Sequence, residues 1–65
     1  MLTERQKETI LAMAKHNMRV TKAADSMGID GSTMYEHFRR IKRETKLDPQ
    51  SLYDLVELVE MVKEG

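Results

Sequence analysis

Gly28, one of only three glycines, constrains the fold more than any other residue in the chain. It stands four residues after Ala24 and directly before Ile29, between two stretches of helical periodicity. Glycine adopts positive φ without steric cost, so a short helix over about Thr21–Met27 ends there. Ala23 and Ala24 are small enough to let a second helix approach closely, and Ile29 plugs the gap between the two. Asp30 then offers an N-cap for the next helix, with Gly31, Ser32 and Thr33 in its first turn. Met34, Phe38, Ile41 and Thr45 recur at spacings of four, three and four, which makes one apolar face. The opposite face carries Ser32, Glu36, Arg39, Arg40 and Arg43. Taken together at this spacing, these features predict a helix-turn-helix over residues 20–46.

The flanks read as two further helices. Thr3 and Gln6 form a capping box that starts helix 1. Its expected buried stripe is Ile10, Met13 and Ala14, with Leu11 beside it, and Asn17 tolerates the left-handed conformation that ends it near His16. Thr21 is the expected N-cap of helix 2. Basic residues suit the C-terminal end of helix 3 near Lys46. Asp48 followed by Pro49 reads as an N-cap and first helical residue, opening helix 4 over 48–63. Its apolar stripe is Leu52, Leu55, Val56, Val59 and Val62; Leu58 and Met61 widen it beyond what one small core needs. The expected fold is therefore all-α: a single domain over residues 1–65, with a three-helix helix-turn-helix core and a C-terminal helix.

Several function classes are disfavoured by the composition. With 65 residues there is room for one domain, and a substrate pocket of several hundred Å3 would hollow out its core. An enzyme is the least expected class, and no cofactor or small-molecule ligand is implied. There is no cysteine, which removes disulfides and thiolate metal sites. His16 and His37 are not at ligand spacing, so no metal site is expected. The methionines read mostly as core fillers. No apolar run approaches the roughly 18 residues of a membrane helix, and the polar start Met1–Arg5 does not read as a signal peptide. The expected setting is cytoplasmic, in a bacterial, archaeal or phage context.

The zero net charge conceals two poles. Residues 1–47 hold ten Lys and Arg against six Asp and Glu, whereas residues 48–65 hold Lys63 against Asp48, Asp54, Glu57, Glu60 and Glu64. Such an asymmetry favours a polyanionic partner for the first part of the chain.

Three segments resemble a known family: Val20-Thr21-Lys22-Ala23-Ala24, Met27-Gly28-Ile29, and Ser32-Thr33-Met34-Tyr35 with Phe38-Arg39-Arg40-Ile41. They look like the helix-turn-helix of Fis-type DNA-binding proteins, and still more like the C-terminal one of PucR-type transcriptional regulators. The resemblance covers roughly residues 9–48 and includes Thr45-Lys46-Leu47-Asp48, where the PucR-type pattern usually has Thr-Gly-Leu-Asp. It implies a Fis- or homeodomain-like core and double-stranded DNA as partner. The pattern departs at Asp30 and Gly31, where Fis-type members usually carry Asn or His and then Arg. It departs again at Tyr35, Glu36 and His37, where basic residues are frequent.

In a helix-turn-helix the start of the second helix faces the bases of the major groove, which makes Ser32, Thr33, Tyr35 and Glu36 the candidate readers. Glu36 has two readings: acceptor from a cytosine amino group, or ion-pair partner of Arg40 one turn on. Thr21 and Lys22 sit where helix amides favour a phosphate, and Arg39, Arg40 and Arg43 suit phosphates by charge, with Arg19 a weaker candidate. One such unit reads a short half-site, so a homodimer through helix 4 is expected, with Leu55, Leu58, Val59, Met61 and Val62 at its interface. Transcriptional regulation is the leading reading. A protein-interaction module, consistent with the neutral charge, Gly31 and Glu36, is an alternative. So is a recombination or packaging accessory factor.

Overall fold

Several helix ends of this chain lie at local hydrogen-bonding devices. The computed structural model describes residues 2–64. The outermost positions of the expected domain, Met1 and Gly65, lie outside the described residues. Among those described there are four helices and no strand: α1 (Glu4–Lys15), α2 (Val20–Met27), α3 (Gly31–Thr45) and α4 (Leu52–Glu64).

The capping box is formed: Gln6 N–H donates to Thr3 Oγ1 at 3.1 Å, and Thr3 N–H donates to Gln6 Oε1 at 2.9 Å. The C-terminus of α1 closes in a Schellman arrangement, with Met18 N–H donating to the Met13 carbonyl and Asn17 N–H to that of Ala14. Asn17 takes the left-handed conformation at φ 54°, and Met18 follows it at φ 65°. The same device ends α2. Ile29 N–H donates to the Ala24 carbonyl, Gly28 N–H donates to that of Asp25, and Gly28 sits at φ 70°. Ala24, Gly28 and Ile29 are thus three parts of one turn. Asp30 caps α3 through a 2.8 Å bond from Thr33 N–H. Lys46 ends α3 at φ 66°, donating its N–H to the Lys42 carbonyl. That is the position at which the resembled pattern carries glycine.

The core is contiguous. Ile10, Met13, Met34, Ile41 and Leu58 are fully buried, joined by Ala23, Ala24, Phe38 and Leu55. α1 is the hub on which α2, α3 and α4 all pack; α2 also packs on α3, whereas α4 rests on α1 alone. Burying a Leu, Ile or Met side chain contributes about 1.5–3 kcal/mol each, so these few residues carry most of the hydrophobic stabilisation of so small a domain.

Four expectations are corrected. Leu11 and Ala14 are exposed, and α1 turns Gln6, Thr9 and Ala12 inward beside Ile10 and Met13. Burial of the two polar residues is tolerated because Gln6 is engaged in the capping box and Thr9 Oγ1 donates to the Arg5 carbonyl at 2.9 Å. Thr21 is not a cap: Val20 is already helical, and Arg19 precedes it without a side-chain capping bond. Helix 4 begins at Leu52 rather than at 48–49. Asp48 instead accepts from Gln50 N–H at 2.9 Å in a tight turn that precedes the helix, and Pro49 is a buried plug. Asp48 N–H donates to Asp54 Oδ2 at 2.9 Å, tying that turn to α4. Lastly, Leu55 and Leu58, expected at a dimer interface, are 4% and 0% exposed. They face α1 and cannot meet a second chain, and of the proposed set only Val59, Met61 and Val62 retain surface.

Candidate nucleic-acid interface

The outward face of α3 is fixed by what its inner face buries. Met34, Phe38 and Ile41 anchor one side, so residues half a turn away must face solvent. Ser32, Glu36, Arg39, Arg40 and Arg43 are all exposed there, at spacings that form one row along the helix. Thr33 and Tyr35 are also exposed, but two helical steps of 100° separate them, so they lie on opposite flanks of that row. Tyr35 leans edge-on against Phe38, with ring centroids 5.6 Å apart and planes at 88°. It borders a shallow depression shared with Arg39, Lys42 and the turn residues Asp48 and Gln50. Of the candidate base readers, Ser32 and Glu36 therefore share the central row with the arginines, and Thr33 and Tyr35 edge it.

Glu36 pairs with Arg39 at 3.7 Å, not with Arg40, and both side chains are at least half exposed. A pair so open to water is worth little and yields readily to a stronger anion. Among the described residues Arg40, Lys42 and Arg43 have no carboxylate partner. Arg40 and Arg43 hold guanidinium forks in water along the row of a helix about 22 Å long, and Lys42 adds an ammonium on its Tyr35 flank.

Thr21 and Lys22 are exposed in the first turn of α2. α1 and α3 have side-chain caps at their N-termini, whereas α2 has none, so its leading amides lack a side-chain acceptor. Open amides, a hydroxyl and an ammonium in one turn suit a phosphate oxygen. The N-terminus of α3 differs, because Thr33 N–H holds the Asp30 carboxyl below its ordinary value and so keeps it charged.

Arg5 is a cation that sequence reasoning missed. Burial lowers the His37 imidazole below its ordinary value, and the nearby charges of Arg5 and Arg40 lower it further. Arg5 lies on α1, which packs against α3, so its charge reaches His37, while its own guanidinium pairs with Glu8 at 3.0 Å. His37 Nε2 itself is buried and without a partner. Glu57, Glu60 and Glu64 of the acidic segment are on α4, which packs on α1 alone, whereas Asp48 borders the depression beside Arg39 and Lys42.

No family model, no curated protein and no solved structure matches this chain. Among the described residues, no three His, Asp or Glu side chains gather as metal ligands do, and no helix is long and apolar enough to cross a membrane.

Proposed function

We propose that α2, its turn and α3 act as a helix-turn-helix that binds double-stranded DNA, with α3 in the major groove. One observation carries this reading. Arg39, Arg40 and Arg43 share the solvent face of a helix whose opposite face is locked in the core, and two of the three are unpaired. An α-helix fits the major groove, and guanidinium groups bind phosphates or guanine edges with two parallel hydrogen bonds. Ser32 and Glu36 occupy the base-facing part of the row, and Thr21 and Lys22 hold a backbone phosphate. The likeness of residues 9–48 to PucR- and Fis-type domains supports the same reading, with transcriptional regulation as the role.

Fluorescence anisotropy against a random-sequence duplex pool at several salt concentrations tests it. Log affinity is expected to fall with log salt at about −0.9 per phosphate neutralised, a slope near −4 for four contacts. Sequencing the bound fraction separates roles: an enriched motif fits a regulator, whereas none fits an accessory factor. Absence of binding at low salt would sink the DNA reading.

A protein-binding module on the same fold is the second reading. The charged Asp30 cap and Glu36, both in the part of α3 that would meet DNA, favour it. Such a module would show no salt-dependent duplex binding.

A further inference from the structure

The outward row of α3 holds one side chain that no phosphate can engage. At about 100° per residue, the direction opposite Met34, Phe38 and Ile41 falls within about 15° of Glu36 and of Arg43. Ser32, Arg39 and Arg40 lie farther to the sides. Glu36 is exposed there, and its carboxylate lies 3.7 Å from the Arg39 guanidinium. The other carboxylates of this region do not share that direction. Glu44 lies about 90° round the helix, and the Asp30 cap is held by Thr33 N–H. A duplex that takes α3 into its major groove therefore meets a carboxylate near the centre of a basic row. Phosphates repel it. The base edges offer it two donors only, the amino groups of cytosine N4 and adenine N6.

We infer that Glu36 and Arg39 act as one unit that reads a C·G base pair, an inference that rests on the DNA reading. The Glu36 carboxylate accepts from cytosine N4, and the Arg39 guanidinium donates to guanine O6 and N7. The spacing fits. Within the base pair, N4 and O6 are hydrogen-bonded to each other at about 2.9 Å. The two side chains that would meet them are 3.7 Å apart. The charges fit as well, because Arg39 offsets the carboxylate in the negative field of the duplex. Two rival contacts fit less well. An A·T pair also sets a donor beside an acceptor, but adenine N7 turns a second acceptor toward the carboxylate. Thymine, moreover, gives the guanidinium one oxygen where guanine gives two acceptors. A phosphate takes Arg39 but leaves Glu36 facing a like charge. Arg40 and Arg43, which have no carboxylate partner among the described residues, remain for the backbone.

Duplexes selected from a random pool by the whole wild-type chain, then varied one base pair at a time, test this by fluorescence anisotropy. The variants E36Q and E36A/R39A are measured beside wild type, with circular dichroism to confirm that both fold. Wild type should require one C·G pair, losing at least about fivefold in affinity when any other pair replaces it. In E36Q the preferred base at that position should change from cytosine to adenine, whose N6 and N7 suit an amide. E36Q should bind an unselected pool no more weakly than wild type, since no phosphate contact is lost. E36A/R39A should bind all four pairs at that position within about twofold of one another. A selected motif without a C·G pair overturns the inference, as does a C·G pair that E36Q reads as wild type does. So does a gain by E36Q on every duplex alike, which would make Glu36 only a brake on binding. In each of those cases the duplex is still bound and the DNA reading stands. Absence of binding by wild type at low salt overturns both.

Discussion

α3 and α4 are helices of similar length, 15 and 13 residues, both laid on α1, yet they leave opposite surfaces to solvent. α3 buries its apolar residues and exposes Arg39, Arg40, Lys42 and Arg43. α4 buries Leu55 and Leu58 but exposes Leu52 and Val56, along with Glu57 and Glu60. The difference follows from their neighbours. α3 is covered by both α1 and α2, which take up its apolar residues, whereas α4 has only α1 to lie on and more apolar residues than one helix can cover. The fold is thus common to both helices, and they differ in what each leaves over: charge on one, apolar surface on the other.

The largest expected effects test whether the two helices share one core. Leu58→Ala on α4 and Ile41→Ala on α3 remove fully buried side chains, and each should cost about 2–5 kcal/mol in urea denaturation. Val56→Ser, on the exposed side of α4, should change stability by less than about 0.5 kcal/mol. An inexpensive Leu58→Ala would show that α4 is a loose appendage and break the comparison. Next in size, R39A/R40A/R43A should weaken duplex binding by about 100-fold or more at low salt and flatten the salt slope by about 3, with the helical circular dichroism spectrum retained.

Smaller effects sharpen the account of α3. Lys46 holds a left-handed φ of 66° that costs a residue with a Cβ about 1 kcal/mol, so Lys46→Gly should raise stability by roughly that much. Gly28→Ala, placing a Cβ at φ 70°, should lower stability by a similar amount although nothing crowds the site. The smallest effect concerns pH. His37 titrates below its ordinary 6.5 in the folded state, so the unfolded chain binds the proton first as pH falls. Its contribution to stability is therefore intact above about pH 6.5 and declines below it. Denaturation at pH 7.5 and 5.5 should show that loss, and His37→Gln should reduce it.

Much of this was legible in the sequence because the signals were local. Thr3 with Gln6, Asn17, Gly28 and Asp30 act within a few residues of themselves, and all four devices formed where the spacing placed them. The failures involve alternative local bonds and the packing that selects among them. Asp48-Pro49 has the chemistry of a helix start, but the Asp48 carboxylate is taken by Gln50 N–H and Pro49 is drawn into the interior. Thr9 takes a place in the α1 stripe that Ala14 was expected to hold, its hydroxyl bonded to the backbone one turn earlier. Which part of the α4 stripe is core depended on how that helix rolls on α1, and the stripe alone cannot specify the roll. The arginine row was legible in α3 because Met34, Phe38 and Ile41 fix its opposite face, but the nearness of Arg5 is a tertiary fact.

The most direct test of the central claim is a titration of the 15N-labelled chain with a duplex, followed by amide chemical shifts. Binding through the α3 face predicts that shifts concentrate at Ser32, Glu36, Arg39, Arg40 and Arg43 and in the first turn of α2 at Thr21 and Lys22. Under that account Glu57 and Glu60 on α4 stay unmoved. Shifts centred on α4, or none at saturating duplex, would contradict it.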